Sequence, residues 1–345
     1  MAGIALLGAG IFAREQHLPA IEANSNLVLK AVYSRSQESA EKLASSAKTK
    51  DVTVYFDSPA TPGKSLDDLL ARDDISAVNI ALPILHQPDV IKKSLTAGKH
   101  VLSEKPVAGD VQAAKDLIAW YAALGDKKPL WAVAENFRYM DSVLYAAEEV
   151  KKLGGNLLTF RMHKYGYVEA DNKYFNTDWR KVPGYQGGFL LDGGVHFVAA
   201  LRYILEATGQ RIEKLAGFSA LLEERLVPVD TVNAVALTQD GKSGTVVITF
   251  GTEFKDGLEV EIITTKGTVT WSPRAVITAT GKQGESKKEF GYNSGVQAEV
   301  AAFEKAVAAG KADPLQSPEE ALKDLSVLQG LLESGDAGAA VKTVA

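Results

Sequence analysis

The chain contains no cysteine, and that absence removes several chemistries at once. Without a thiol there is no disulfide framework, no thiolate nucleophile and no Cys-ligated metal. Histidine is scarce too, with 5 in 345 residues. None forms a His-x-x-His or Glu-flanked pair, so no zinc site is expected. The chain lacks a Lys/Arg-rich tail or stripe, and its net charge of −5 argues against nucleic acid or an anionic membrane as main partner. Met1-Ala2-Gly3 leads straight into Ile4-Ala5-Leu6-Leu7 with no basic start, which is not a secretory pattern. No apolar stretch of about 18 residues is expected to span a bilayer. These absences lead us to expect a cytoplasmic protein. No internal repeat or low-complexity segment is evident. A chain of 345 residues exceeds one small core, so two domains are expected, 1–130 and 131–345.

What is present begins with a fingerprint. Residues 3–7 read as a buried strand, followed by Gly8-Ala9-Gly10-Ile11-Phe12-Ala13 and an amphipathic segment to Ala23. Strand, glycine turn and helix start give G-x-G-x-x-A its meaning. Gly8 permits the turn, Gly10 lets the backbone approach a pyrophosphate, and Ala13 lets the helix pack on the sheet. A diphosphate would sit at the helix N-terminus, where free N–H groups favour an anion. The second strand, Leu27–Tyr33, ends in Ser34-Arg35-Ser36 and not in the acid that binds the ribose hydroxyls of NAD. Arg35 can clamp a phosphate through its planar fork, with the two serines adding donors, so NADP is the expected cofactor. An Arg35 that merely stacks on the adenine would accept both cofactors. Further strands at 77–81, 100–103 and 130–134 alternate with helices at 65–71, 88–97 and 111–124. That alternation predicts a doubly wound parallel sheet. Ligands of such sheets bind beyond the strand C-termini, where Leu82-Pro83 and Glu104-Lys105-Pro106 fall.

After Asn136-Phe137-Arg138 the rhythm changes. A helix is predicted over 142–153. Segments rich in β-branched residues follow at 157–168, 214–222, 232–237, 244–250, 258–264 and 268–271, with glycine turns between them. The second domain is thus expected to be α+β, with a large open, mostly antiparallel sheet. Helices at 296–309 and 318–333 follow, and the tail from Gly335 is expected to be loosely held. One helix interrupts the sheet, from about Leu190 to Leu205. Gly187, Gly188, Gly193 and Gly194 near its start cost backbone entropy, which makes sense if a ligand approaches the backbone. Asp192 and His196, four residues apart, share one face of it. His17 and His100 lie in apolar segments and read as structural; His163 lies on a strand.

Lys105, Asp192 and His196 together offer an acid/base set. An imidazole titrates near ~6.5 and suits proton transfer with little tuning. A lysine amine titrates near ~10.4 and needs burial or a cationic neighbour. His196 is therefore expected to be the main acid/base, Lys105 to polarise the substrate oxygen, and Asp192 to orient His196 or a substrate hydroxyl. The lysine and histidine roles are interchangeable at this level.

These residues carry a family resemblance. The Gly8-Ala9-Gly10 turn, the run from Ala97-Gly98-Lys99-His100 to Glu104-Lys105-Pro106, Glu135-Asn136-Phe137-Arg138, and Asp192-Gly193-Gly194-Val195-His196 resemble the Gfo/Idh/MocA oxidoreductases. The resemblance covers most of the chain and rests on fold order alone beyond about Arg202. It implies an N-terminal Rossmann domain, and a C-terminal sheet that makes a homodimer or homotetramer. It implies that Lys105, Asp192 and His196 line the substrate site. Pro83, His86, Glu104 and Asn136 match positions near the nicotinamide, and Trp179-Arg180 resembles a pair that reaches the cofactor. The substrate pocket is expected to include Lys105, Arg138, Asp192, His196 and the aromatic segment from Tyr165 to Tyr185. Aromatics with amides and carboxylates suit a polyhydroxylated ring, and the resemblance implies a sugar, sugar lactone or polyol; a subclass of the family holds its cofactor tightly and oxidises one sugar while reducing another, as in glucose–fructose turnover. The competing readings are a non-catalytic cofactor-binding regulator of the same fold and a reductase of non-sugar carbonyls.

Overall fold

The computed structural model describes residues 1–281 and 284–344, which divide into two compact units. The first comprises 1–135 with 296–322, and the second 136–295 with 323–345. The expected boundary at 130/131 differs by a few residues. It also misses the return of the segment 296–322 to the first unit, because an apolar helix face does not say which core it joins.

The first unit holds a six-stranded parallel sheet in the order β3-β2-β1-β4-β5-β6. Its strands are β1 (Ala2–Leu7), β2 (Leu27–Ser34), β3 (Thr53–Phe56), β4 (Ala77–Ile80), β5 (His100–Glu104) and β6 (Trp131–Ala134). β1 and β4 are neighbours though not consecutive, so the order reverses between them. The crevice at that reversal is where doubly wound sheets bind ligands. Both faces of the sheet are covered, which is why β1 and β4 are apolar without alternation. Val296, Val300 and Phe303 of the helix Val296–Ala309 join Ile4, Leu6 and Leu102 in the core.

His100 opens β5, and its Nδ1 accepts the Leu130 backbone N–H at 2.9 Å. Burial pushes its pKa below the ordinary 6.5. A folded value below the unfolded one gives stability that is present above the unfolded pKa. That stability is lost as pH falls through the folded one. Between about pH 6.5 and pH 5, the melting temperature of the wild type is expected to fall more steeply than that of His100→Asn, whose carboxamide oxygen accepts the same bond without titrating. Parallel pH–melting curves would refute this.

The second unit holds a nine-stranded sheet in the order β14-β13-β12-β11-β7-β10-β9-β8-β15. Its strands are β7 (Leu157–Tyr165), β8 (Ile212–Ala220), β9 (Thr231–Thr238), β10 (Ser243–Thr249), β11 (Gly257–Thr264), β12 (Gly267–Ser272), β13 (Ala275–Ala279), β14 (Glu285–Glu289) and β15 (Lys342–Thr343). All its neighbours are antiparallel except β7 and β10. The tail is not loose: β15 pairs with β8, and Val344 is buried. One face of the sheet, carrying Phe160, Met162, Val246, Ile248, Val260 and Ile262, is buried. The helices Asp141–Leu153 and Gly188–Glu206 pack in this unit, the second of them against β7, β10 and β11. Contrary to the sequence expectation, Gly188–Glu206 is long and apolar enough to cross a membrane, yet most of it is buried within the structure, as a core helix is.

Candidate active site

One group of candidate residues lies at the carboxyl rim of the parallel sheet. Gly8 has φ of 114°, and a Cβ there would stand 2.2 Å from the Ala81 carbonyl oxygen. Only glycine fits this turn, and the contact locks the end of β1 to Ala81-Leu82 after β4. Gly10 is the opposite case. It is exposed, and a Cβ would meet nothing within 4 Å. Ala13 is buried and Ile11 and Phe12 half-buried, so the turn presents open backbone above a packed helix. These residues fit a dinucleotide diphosphate. Leu82 and Pro83 are half-buried at the same rim, and His86 is exposed one turn further on.

At the end of β2, Ser34 is half-buried and Arg35 exposed. Ser36 is the N-cap of the helix Gln37–Ser46, accepting the Ser39 N–H at 3.3 Å. The hydroxyl of Tyr33 donates to Asp57 at 2.7 Å. Burial, and then the Asp57 carboxylate, push that phenol up and keep it a donor. Asp57 follows β3, a strand that the sequence reading missed, and Tyr33 occupies one of its oxygens.

β5 ends at Glu104, and the half-buried Lys105 follows across a cis bond to Pro106. Glu104 Oε1 lies 2.6 Å from His17 Nε2, and His17 Nδ1 lies 3.0 Å from the Asn79 amide nitrogen. His17 is therefore more than the apolar filler its surroundings suggested. Asn79, a polar residue on an otherwise apolar strand, was the sequence signal for it.

In the second unit, Asp192 and His196 stand on the first turns of Gly188–Glu206. The ring of His196 stacks on Phe137, with centroids 4.9 Å apart and planes at 17°. Buried Asp192 accepts from Arg180 Nε at 2.7 Å. The guanidinium of Arg180 lies over the Trp179 ring at 4.0 Å, a half-buried cation–π contact of a type worth about 0.5–2 kcal/mol. The structure thus brings Trp179, Arg180 and Asp192 together. Tyr185 joins them, its ring 6.1 Å from Trp179. Its buried hydroxyl has no hydrogen-bond partner among the described residues. Burial, and then Asp192, raise the pKa of that phenol. The sequence reading placed Tyr185 in the pocket segment without assigning it a role.

Three expectations are corrected. Arg138, proposed as a substrate contact, is 2% exposed and paired with Asp324, which also holds Arg202. That guanidinium is committed to a buried ion cluster. Tyr165 lies on the open face of the sheet with His163, its ring 5.1 Å away. The helix of Asp192 and His196 packs on the opposite face, that of Phe160 and Met162, so Tyr165 is not gathered with them. Packing alone accounts for the glycines of that helix. Gly187 has φ of 72°, and a Cβ there would stand 2.5 Å from Leu332. At Gly193 it would stand 3.0 Å from the Phe250 ring. Asn136 is buried and donates to the Ser294 carbonyl at 2.5 Å, so one of its N–H groups is committed locally.

A glycine turn at the switch point of a parallel sheet defines a dinucleotide-binding unit. The second unit carries an Asp and a His on one face of its core helix. Residues 2–128 match the family described as "Oxidoreductase family, NAD-binding Rossmann fold", and 151–270 match the Gfo/Idh/MocA C-terminal domain. The chain belongs to the Gfo/Idh/MocA oxidoreductase family. It is 53% identical over 348 residues to Dehydrogenase FPY6 of Fusarium mangiferae, spanning 100% of this chain and 99% of that protein. The crystal structure of an oxidoreductase from Thermotoga maritima shares its fold with a TM-score of 0.87 and 30% identity, over 99% of this chain and 98% of that one. KijD10, a 3-ketoreductase from Actinomadura kijaniata in complex with NADP and TDP-benzene, gives a TM-score of 0.77 at 22% identity, over 96% and 97%.

Proposed function

We propose that the protein is an NADP-dependent oxidoreductase acting on CH–OH groups, with a sugar, sugar lactone or polyol as substrate. The observation that carries this reading is the placement of Lys105 directly after β5, at the same sheet rim as the open glycine turn. The nicotinamide, when bound, supplies the hydride acceptor or donor. Lys105 polarises the substrate oxygen. His196, held by its stack on Phe137, takes or returns the hydroxyl proton. Asp192, which accepts from Arg180, orients His196 or a substrate hydroxyl. Arg35 and Ser34 support the choice of NADP, and NADP is the nucleotide named with KijD10. The enzyme works in the cytoplasm as a homodimer or homotetramer. Phe218 and Val235 support this, standing on the open face of the nine-stranded sheet at 67% and 50% exposure. Sedimentation of the purified protein as a monomer would remove that part of the proposal.

Fluorescence titration tests the cofactor assignment. The wild type is expected to bind NADPH about tenfold or more tighter than NADH, and Arg35→Ala to abolish the difference, because a charge-assisted phosphate contact of about 1.5–3 kcal/mol is removed. Equal affinities in the wild type would replace NADP by a cofactor-tolerant site.

A further inference from the structure

The polar group formed by His17, Asn79 and Glu104 has no place in a packing account of the Rossmann core. His17 is 0% exposed, and the surrounding core is built from Ile4, Leu6, Leu18, Ala77 and Leu102. An apolar residue would fill that space without desolvating an imidazole beside a carboxylate. The local backbone is unusual as well. Ala13–His17 is a π-helical turn, with the Leu18 N–H bonded to the Ala13 carbonyl. Such turns are rare and recur at functional sites, because one extra residue re-aims a side chain. Here the side chain at the end of the turn is His17.

With the Asn79 amide nitrogen placed toward the ring, the two contacts fit one tautomer. The amide N–H of Asn79 faces Nδ1, so Nδ1 is the acceptor. Nε2 therefore carries the hydrogen and donates it to Glu104 Oε1 at 2.6 Å. The other carboxylate oxygen of Glu104 makes no hydrogen bond among the described residues, and the side chain remains 12% exposed. On the far side, the Phe12 ring of the glycine turn meets the His17 ring edge-on at 5.2 Å. One imidazole thus touches the nucleotide turn and the carboxylate that precedes Lys105.

We propose that His17 is a positioning residue for the reaction. It holds Glu104 so that the second carboxylate oxygen accepts an N–H or O–H donor of the nicotinamide half of the bound dinucleotide. In doing so it sets the strand end from which Lys105 projects. Asn79 holds His17 in the tautomer this requires. The inference rests on the oxidoreductase reading above and adds to it the group that couples the glycine turn to the catalytic rim.

The test compares His17→Gln, His17→Asn and Glu104→Gln in the full chain. The nitrogen of Gln reaches the position of Nε2 and can still donate to Glu104, whereas the shorter Asn cannot. Three quantities are read for each: the Kd for NADPH, the Kd for 2′,5′-ADP, and kcat/KM with a substrate turned over by the wild type. His17→Asn is expected to weaken NADPH binding and to lower kcat/KM by about 10- to 100-fold, as small displacements of catalytic groups do. Binding of 2′,5′-ADP, which lacks the nicotinamide, is expected to be unchanged. His17→Gln recovers most of the loss. In the Glu104→Gln background the amide oxygen can still accept from His17, but the amino group cannot accept from the nucleotide; the acceptor that His17 positions is already gone, so His17→Asn costs little further. Equal losses for both nucleotides, no recovery by Gln, or additive losses would overturn the assignment and leave His17 a packing residue. Should His17→Asn fail to fold, the comparison of His17→Gln with Glu104→Gln still decides: near wild-type NADPH affinity in the first and weakened affinity in the second is required. A wild type that binds no nicotinamide nucleotide would overturn the oxidoreductase reading, and this inference with it.

Discussion

Replacing Lys105 by Met is expected to lower kcat/KM by about 10²- to 10⁴-fold, the range for loss of a positioned proton-transfer or polarising group. Methionine nearly matches the length and apolar stem of lysine and removes only the charge and the donors. Lys105 is half-buried at the end of β5, whose preceding carboxylate is tied to His17, so the backbone that aims it should persist. The loss should therefore fall on turnover, with the Kd for NADPH changed far less. His196→Phe is the matching variant on the other unit. It keeps an aromatic ring to stack on Phe137 and removes both ring nitrogens. A Lys105→Met enzyme with near wild-type kcat/KM would show that Lys105 does not polarise the substrate oxygen.

Asp324→Asn is expected to destabilise the second unit by about 3–5 kcal/mol, read as a shift in the urea midpoint of its unfolding. Asp324 is 1% exposed and pairs with both Arg138 and Arg202. Arg202 has a second partner in the more exposed Glu206, at 2.8 Å, and replacing Asp324 takes one buried carboxylate from both guanidinium groups. Breaking a buried pair from one side costs far more than the pair is worth against apolar residues. For that reason the triple variant Arg138→Met, Arg202→Leu, Asp324→Leu is expected to regain most of the loss. An Asp324→Asn midpoint within experimental error of the wild type would mean that solvent reaches the cluster.

The architecture was legible because its signals are local. Apolar runs closed by Gly8, Gly98 and Gly125, and alternating runs closed by Asp240-Gly241 and Asp256-Gly257, mark strands and helices without knowledge of the rest of the chain. β3 and β14 escaped for opposite reasons: β3 is a four-residue edge strand, and every residue of β14 is exposed, so neither shows a clear pattern. The candidate residues were legible as types at a rim or on a helix face. Their partners were not. Nothing in the sequence links Arg138 to Asp324, 186 positions away, or His17 to Glu104, 87 positions away. Tyr165 is a different case. The alternation of buried Phe160 and Met162 with exposed Arg161 already placed it on the open face, and the functional expectation overrode a period-two signal.

The central claim is hydride transfer between NADP and a hydroxyl or carbonyl carbon, and absorbance at 340 nm tests it most directly. The purified protein would be mixed with NADP⁺ or NADPH and a panel of aldoses, ketoses, polyols, sugar lactones and aromatic carbonyls. The account predicts turnover with a member of the sugar or polyol set, weaker turnover with NAD(H), and loss in Lys105→Met. Tight nucleotide binding with no change at 340 nm for any compound would contradict it and favour a cofactor-binding regulator.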